Sequence, residues 1–179
     1  RKIFRKEDDN ILNYLNDDGV SIEPDNYEPI LPLVLINGAD GIGTGWSTSI
    51  PCYNPIDIYN NILNLMDNKE LKKMKPWYKN FKGKIFVNGV NIKIVGNYKI
   101  IDGNTIEINE LPIGQWTTSY KQFLDSIEYD NNSKKDIITE YTDNCTDTKV
   151  NFTVLFPGNK LDLFVRNDTI EQKLKLVKT

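Results

Sequence analysis

The sequence contains no histidine, only two cysteines and three arginines, and no long run of apolar residues. Without histidine, the chain cannot form a Ser-His-Asp or Cys-His catalytic arrangement, nor a zinc site that uses imidazole. Cys52 and Cys145 lie far apart, so they provide neither a Cys₄ metal site nor a disulfide framework, and we expect free thiols in an intracellular protein. No apolar stretch approaches the roughly 18 residues of a membrane-spanning helix, so we expect no membrane partner.

The residues that are present suffice for one domain of ordinary size, or for a large domain with a small appendage. The chain has 179 residues, of which 39% are apolar and 26% charged. Its net charge of −3 conceals an uneven distribution, because residues 69–84 hold seven lysines against the single acid Glu70, a local charge of +6. Such a cluster can form a binding face on an acidic protein. A solvated lysine-rich loop explains it equally well.

The apolar pattern indicates a mixture of helices and strands. Asn54-Pro55 is a typical helix start, and Thr117 is the predicted cap of a later helix. Asn88-Gly89 and Asp102-Gly103 are hairpin dipeptides within an alternating stretch. Helices are predicted within 1–29 and over 55–67, about 117–127 and 159–165; strands over 30–36, 84–110, 137–141, 149–156 and 173–177; and a polar loop over 130–135. The fold class is therefore α+β, with a mostly antiparallel sheet and flanking amphipathic helices.

A glycine-rich stretch follows the apolar residues 30–36 and holds four glycines within eight residues, Gly38, Gly41, Gly43 and Gly45. It is not a Walker A loop, because Thr44 stands where that motif requires lysine. It is not a dinucleotide fingerprint either, because Trp46 stands where the third glycine belongs. Two interpretations remain: a tight structural turn, or a loop whose backbone lies close to a partner.

Two further features are compatible with nucleic-acid binding. Ile50-Pro51 follows the glycine-rich stretch, and apolar wedges of this kind kink DNA when they lie exposed at the tip of an element. A core isoleucine beside a turn is the commoner arrangement. The lysines of residues 75–83 are interleaved with aromatic residues, which we expect to pack the loop rather than to stack on bases. Paired carboxylates such as Asp8-Asp9 are better explained as exposed loops than as metal ligands.

Four blocks in chain order identify a family. Residues 23–51, which include Gly43-Thr44-Gly45-Trp46, closely resemble the breakage–reunion core of eukaryotic-type DNA topoisomerase II, a type IIA topoisomerase. The similarity continues through residues 74–83, 110–117 and 141–150. The Gly-Thr-Gly-Trp form resembles the eukaryotic enzyme rather than bacterial gyrase.

The resemblance implies a set of sites and domains. Residues 1–40 are expected to be the end of a winged-helix domain, and 41–179 the tower (shoulder) domain. Ile50 is expected to insert between base pairs and bend double-stranded gate DNA, with Pro51 beside it. The residues expected to follow the DNA backbone are Gly41, Gly43, Thr44, Gly45, Trp46, Ser47, Thr48, Lys75, Lys79 and Lys82.

The resemblance also implies what this chain lacks. The family nucleophile is a tyrosine that follows an arginine, but Arg1, Arg5 and Arg166 precede lysine, lysine and asparagine. We therefore expect no catalytic residue, metal site or cofactor in this chain, which would be inactive alone. The parent enzyme would be a nuclear homodimer that uses Mg²⁺ and ATP for double-strand passage, with this chain working beside the remainder of the enzyme. A protein-interaction module without a DNA role is the competing interpretation.

Overall fold

The longest helix, α2 (Pro55–Met66), begins at the predicted helix start. The Asn54 side chain caps it, because Asn54 Oδ1 accepts a hydrogen bond from the Ile56 amide at 2.9 Å. Pro55 occupies the first helical position, where an amide hydrogen would have no partner within the helix. Ile58 is buried, whereas most of the other apolar side chains of α2 are exposed. The prediction of a helix over 55–67 is confirmed.

The computed structural model describes residues 3–89, 91–128 and 137–179. The chain divides into two compact units, Arg1–Lys79 and Asn80–Thr179. The polar loop predicted over 130–135 lies outside the described residues. A division by contacts does not identify family domains, so the assignment of 1–40 and 41–179 to two such domains stays a prediction. Among the described helices, none is both long and apolar enough to cross a membrane.

The first unit contains two hairpins and two helices. A 3₁₀ helix, Lys6–Asn10, precedes a hairpin that turns at Asp18-Gly19, where both residues have positive φ, 47° and 86°. A short helix, a second hairpin and α2 follow. In chain order the elements are β1 (Tyr14–Asp17), β2 (Val20–Pro24), α1 (Leu33–Asn37), β3 (Ala39–Ile42), β4 (Ser47–Ile50) and α2.

The strand predicted over 30–36 is wrong, because most of this apolar run forms α1. Pro32 is the N-cap of the helix, with φ of −67°, and its carbonyl accepts a hydrogen bond from the Leu35 amide at 3.0 Å. Proline suits a helix start because its φ is already fixed and its missing amide hydrogen is not needed there. A short apolar run without alternation does not distinguish strand from helix. Here the proline determines the outcome.

The second unit holds two antiparallel sheets and three helices, which confirms the α+β class. The four-stranded sheet has the order β7-β8-β10-β9 and the three-stranded sheet the order β11-β6-β5. The elements are β5 (Lys84–Asn88), β6 (Asn91–Val95), β7 (Asn97–Ile100), β8 (Thr105–Glu110), α3 (Thr117–Ile127), β9 (Glu140–Asp143), β10 (Phe152–Leu155), α4 (Lys160–Arg166), α5 (Ile170–Lys173) and β11 (Val177–Lys178).

The core of the second unit lies between α3 and one face of the four-stranded sheet. Phe152 pairs with Ile108 and Val154 pairs with Ile106, so the period-2 alternation places all four side chains on one face, and all four are fully buried. Tyr120, Leu124 and Ile127 of α3 are buried in the same cluster. The Tyr120 hydroxyl donates to the Leu174 carbonyl at 2.8 Å, which satisfies the polar atom of this buried ring.

Three element predictions for the second unit need correction. Trp116, not Thr117, is the N-cap of α3, and its side chain makes no capping hydrogen bond. The strand predicted over 137–141 starts later, at Glu140. The strand predicted over 173–177 is mostly wrong: α5 ends at Lys173 and β11 starts at Val177. Lys175 has φ of 49°, and an extended strand cannot pass through that backbone conformation.

Candidate nucleic-acid interface

The glycine-rich stretch forms the β3–β4 hairpin of the first unit. The strands pair in an unbroken antiparallel register from Ala39↔Ile50 to Ile42↔Ser47. The turn between them, residues 43–46, is closed by the Gly43 amide, which donates to the Trp46 carbonyl at 2.8 Å. Across the ladder, Ser49 Oγ donates to Asp40 Oδ1 at 2.7 Å. The hairpin thus satisfies its own polar groups and presents both faces of its tip.

The structure brings the predicted loop residues together on this hairpin. All of them are exposed, and the Trp46 side chain is 87% exposed although it is large and aromatic. An exposed tryptophan beside glycines and hydroxyl groups leaves a broad apolar surface without an intramolecular partner. The residues concerned are Gly41, Gly43, Thr44, Gly45, Trp46, Ser47 and Thr48.

The structure places Ile50 differently from the expectation of an exposed tip residue. Ile50 lies at the base of the hairpin and is half-buried, as is Pro51. The isoleucine at the tip is Ile42, which is 99% exposed. Sequence reasoning missed Ile42 because strand register, not the neighbouring proline, determines which residue lies at the tip. The available signal was its position between two glycines, which offer no side chain to cover it.

The four glycines of the stretch separate into two groups. A Cβ at Gly38 would lie 2.5 Å from the Ile50 carbonyl oxygen, and Gly45 has φ of +85°, so the fold itself requires both glycines. A Cβ at Gly41 would meet nothing within 4 Å, and one at Gly43 would make only an ordinary contact of 3.4 Å with the Trp46 carbonyl oxygen. Neither of these two has a positive φ. The hairpin therefore exposes two stretches of bare backbone that its own fold does not demand.

The base of the hairpin is fixed through Cys52 and Tyr53. The Cys52 thiol donates to the Asn37 carbonyl at 3.1 Å, and the Tyr53 amide donates to the Leu35 carbonyl at 2.8 Å. Tyr53 also pairs with Pro76, and the Trp77 amide donates to the Cys52 carbonyl at 2.8 Å. The residue that follows Lys75 is thereby attached to the chain just beyond β4.

Tyr78 belongs to the same junction. Burial raises the pKa of the Tyr78 hydroxyl above its ordinary value, and the nearby Cys52, Asp40 and Tyr53 raise it further. Tyr78 is half-buried, so it packs against the protein rather than standing free for stacking on bases. Its hydroxyl remains neutral at physiological pH and adds no negative charge beside the lysines.

The predicted basic residues are exposed, and their ion pairing differs. Lys69 pairs with Asp67 at 2.8 Å. Lys75 and Lys79 have no ion pair within the part of the chain that the structure describes. Lys82 belongs to the second unit, where its amide donates to a Glu110 carboxylate oxygen at 2.6 Å and its side chain is exposed. Unpaired exposed ammonium groups are available to neutralise phosphates.

The described residues do not fit the cofactors that the resemblance implies for a whole enzyme. Across residues 3–89, 91–128 and 137–179, no three Asp, Glu or Cys side chains lie close enough together to hold a metal ion. The glycine-rich stretch connects two antiparallel strands, whereas a phosphate-binding loop leads from a strand into the N-terminus of a helix. Neither Mg²⁺ nor the phosphates of ATP find their usual ligands in this part of the chain.

Comparison with known proteins agrees with these features. DNA topoisomerase 2 of Caenorhabditis elegans is 43% identical over 178 residues, which is 98% of this chain and 12% of that protein. The mitochondrial DNA topoisomerase 2 of Dictyostelium discoideum is 42% identical over 90% of this chain and 12% of its own length.

A solved structure gives the same result. The DNA-binding, cleavage and re-ligation domain of Plasmodium falciparum topoisomerase II matches all of this chain and 24% of that one, with a TM-score of 0.92 and 42% identity. The chain thus spans about an eighth of the length of these curated relatives. The family model that describes the A-type chain of DNA gyrase/topoisomerase IV matches residues 1–179. The chain therefore belongs to the DNA gyrase/topoisomerase IV family.

Proposed function

We propose that this chain binds and bends the gate duplex of an ATP-dependent type IIA DNA topoisomerase, an isomerase that changes DNA topology by double-strand passage. The observation that carries the proposal is the β3–β4 hairpin, whose tip combines a fully exposed isoleucine with bare backbone in a chain 43% identical to a DNA topoisomerase 2. A folded protein gains nothing by leaving such side chains uncovered unless a partner covers them.

The hairpin supplies the deformation in this proposal. Ile42 inserts between two base pairs, which requires a few kcal/mol for each unstacked step. Gly41 and Gly43 allow the phosphate backbone to lie against the main chain, because no side chain separates them. Exposed apolar wedges of this kind bend a duplex towards its major groove. The role expected for Ile50 thus passes to Ile42, and Ile50 with Pro51 supports the hairpin from its base.

The lysines supply affinity without sequence preference. Lys75, Lys79 and Lys82 neutralise phosphates and release counterions, so binding weakens as the salt concentration rises. Base edges are not needed for this mode of binding. A topoisomerase acts on many sequences, and a surface that recognises backbone and deformability suits that task.

The chemistry of strand cleavage lies outside these residues in our proposal. Cleavage and religation would use a tyrosine, Mg²⁺ and ATP hydrolysis supplied by other parts of the enzyme, in a homodimer, and this chain alone would be inactive. We propose the nucleus as the location of that enzyme. One similar protein is named as mitochondrial, so localisation needs its own measurement, for which imaging of the tagged protein is sufficient.

Salt-dependent binding tests the proposal. The chain is titrated against an intact duplex and against a nicked, pre-bent duplex by fluorescence anisotropy, at several salt concentrations. We expect weak binding that falls linearly in log K against log salt, with tighter binding to the pre-bent duplex because part of the deformation is already made. An interaction module without a DNA role would show no salt-dependent association with either duplex, and that result would overturn the proposal.

A further inference from the structure

We propose that Asn61 is a positioning residue, which holds the lysine-rich segment in the conformation that contacts DNA. This inference rests on the proposed function. Asn61 lies on α2 and lies outside the predicted interface residues. The lysine-rich segment here is the part of the first unit from Lys69 to Lys75, which follows α2 and contains neither helix nor strand.

The Asn61 carboxamide binds both main-chain polar groups of Lys72. Asn61 Nδ2 donates to the Lys72 carbonyl at 2.8 Å, and the Lys72 amide donates to Asn61 Oδ1 at 2.9 Å. The two bonds run side by side in opposite directions, as in one rung of an antiparallel ladder. A single side chain therefore fixes the backbone of Lys72 to α2, and the residues on either side follow.

Little else fixes this segment. At one end, the Lys69 amide donates to the Asn64 carbonyl at 2.8 Å, and at the other end Pro76 pairs with Tyr53. Between Lys69 and Pro76, within the described residues, the two bonds from Asn61 are the hydrogen bonds made by the main chain. Asn61 therefore divides a free loop into two short, tethered halves.

The tether matters because of the side chains that it places. Lys72, Lys73 and Lys75 are exposed, and none has an ion pair among the described residues. A phosphate contact made by a loose loop loses part of its free energy to ordering the backbone, whereas a loop that is already fixed does not. Fixing Lys72 thus raises the DNA affinity of its neighbours although Asn61 need not touch DNA.

The position of Asn61 on the helix supports this role. Asparagine is a weak former of helix interiors, because its amide competes for backbone hydrogen bonds. Here the amide is used on a segment that lies 11 residues ahead. Asn60 is the matched control: it is the same residue type on the same helix, it is exposed, and its side chain makes no hydrogen bond with the described residues.

The test compares Asn61→Ala with Asn60→Ala in the 179-residue chain. Alanine favours the helix in both, so neither variant should unfold α2. Three quantities are measured: hydrogen exchange of the Lys72 amide, affinity for an intact duplex, and the slope of log K against log salt. Thermal unfolding monitors stability, which a purely structural residue would change.

We expect Asn61→Ala alone to remove the protection of the Lys72 amide and to weaken duplex binding about three- to tenfold. Its salt slope should fall by about one unit, since one phosphate contact fewer is made on average. Equal exchange in the two variants would overturn the tether, and equal affinity would overturn its link to binding. If the unaltered chain binds no duplex, the proposed function fails, and the exchange measurement still decides whether Asn61 fixes the segment.

Discussion

Ile42 and Ile50 lie on opposite faces and at opposite ends of one β-hairpin. Ile42 pairs with Ser47 beside the turn, whereas Ile50 pairs with Ala39 at the open end. Ser47 and Ile50 lie an odd number of positions apart on one strand, so their side chains point to different faces. Only one of the two isoleucines can enter a duplex that the tip approaches, and exposure assigns that role to Ile42.

Replacing Ile42 should abolish bending without weakening the fold. We expect Ile42→Ala to reduce the bend angle of an end-labelled duplex, measured by energy transfer, and to leave the free energy of unfolding within about 0.5 kcal/mol, as for other surface changes. Ile50→Ala is the matched control and should bend DNA normally at a stability cost of about 1 kcal/mol, since the side chain is half-buried. The reverse pattern would return the wedge to Ile50.

Adding one methyl group to the hairpin backbone separates contact from strain. Gly41→Ala should leave stability within about 0.5 kcal/mol and weaken duplex binding, because its Cβ meets nothing in the protein and would stand between backbone and phosphate. Gly45→Ala should lower stability by about 1–2 kcal/mol, because φ there is positive. Urea unfolding and anisotropy measure the two effects. Unchanged binding by Gly41→Ala would remove Gly41 from the interface.

Neutralising single lysines should reveal which of them touch phosphate. We expect Lys75→Gln, Lys79→Gln and Lys82→Gln each to flatten the slope of log K against log salt by about 0.9 units. Lys69→Gln is the control and should change the slope less, because Asp67 already pairs with Lys69. A residue whose replacement leaves the slope unaltered belongs to the solvated surface.

The Tyr120 hydroxyl should contribute measurably to the stability of the second unit. Tyr120→Phe leaves the ring in the core but deprives the Leu174 carbonyl of its donor, so we expect a loss of about 1–3 kcal/mol in the free energy of unfolding. Tyr59→Phe, on the exposed face of α2, should change it by less than about 0.5 kcal/mol. Equal effects in urea unfolding would mean that the buried bond adds nothing.

Alkaline conditions should destabilise the fold through the same side chain. Burial raises the pKa of Tyr120 far above its ordinary value, so the folded chain keeps its proton while the unfolded chain loses it above pH 10. Stability is therefore complete below about pH 10 and falls by about 1.4 kcal/mol for each further pH unit that this group contributes. Tyr120→Phe should show a shallower alkaline decline. Parallel declines would exclude Tyr120 as the cause.

Local patterns were sufficient for most of the fold. Asn54-Pro55 identified the start of α2, and alternation identified the buried face of β10, because capping and strand alternation depend on neighbouring residues. The α+β class followed from the same patterns. The run 30–36 misled because a short apolar run suits a helix or a strand equally. The position of Lys175 misled because a positive φ leaves no mark in the apolar pattern.

The candidate site was predicted less completely. The hairpin residues and Lys75 were identified from the family motif, but the exposed isoleucine was not, because its place at the tip follows from strand register. Asn61 was missed for a different reason. Its partner lies 11 residues away, and a hydrogen bond between a side chain and a distant backbone follows no periodic pattern.

The β3–β4 hairpin closes its own hydrogen bonds and leaves residues 40–49 exposed. Its tip therefore takes no part in the folding of the unit that carries it. Changes in the size or shape of the side chains there can accumulate without loss of folded protein. How sharply a duplex is deformed is thus a property that natural selection, or a protein engineer, can tune separately from the robustness of the fold.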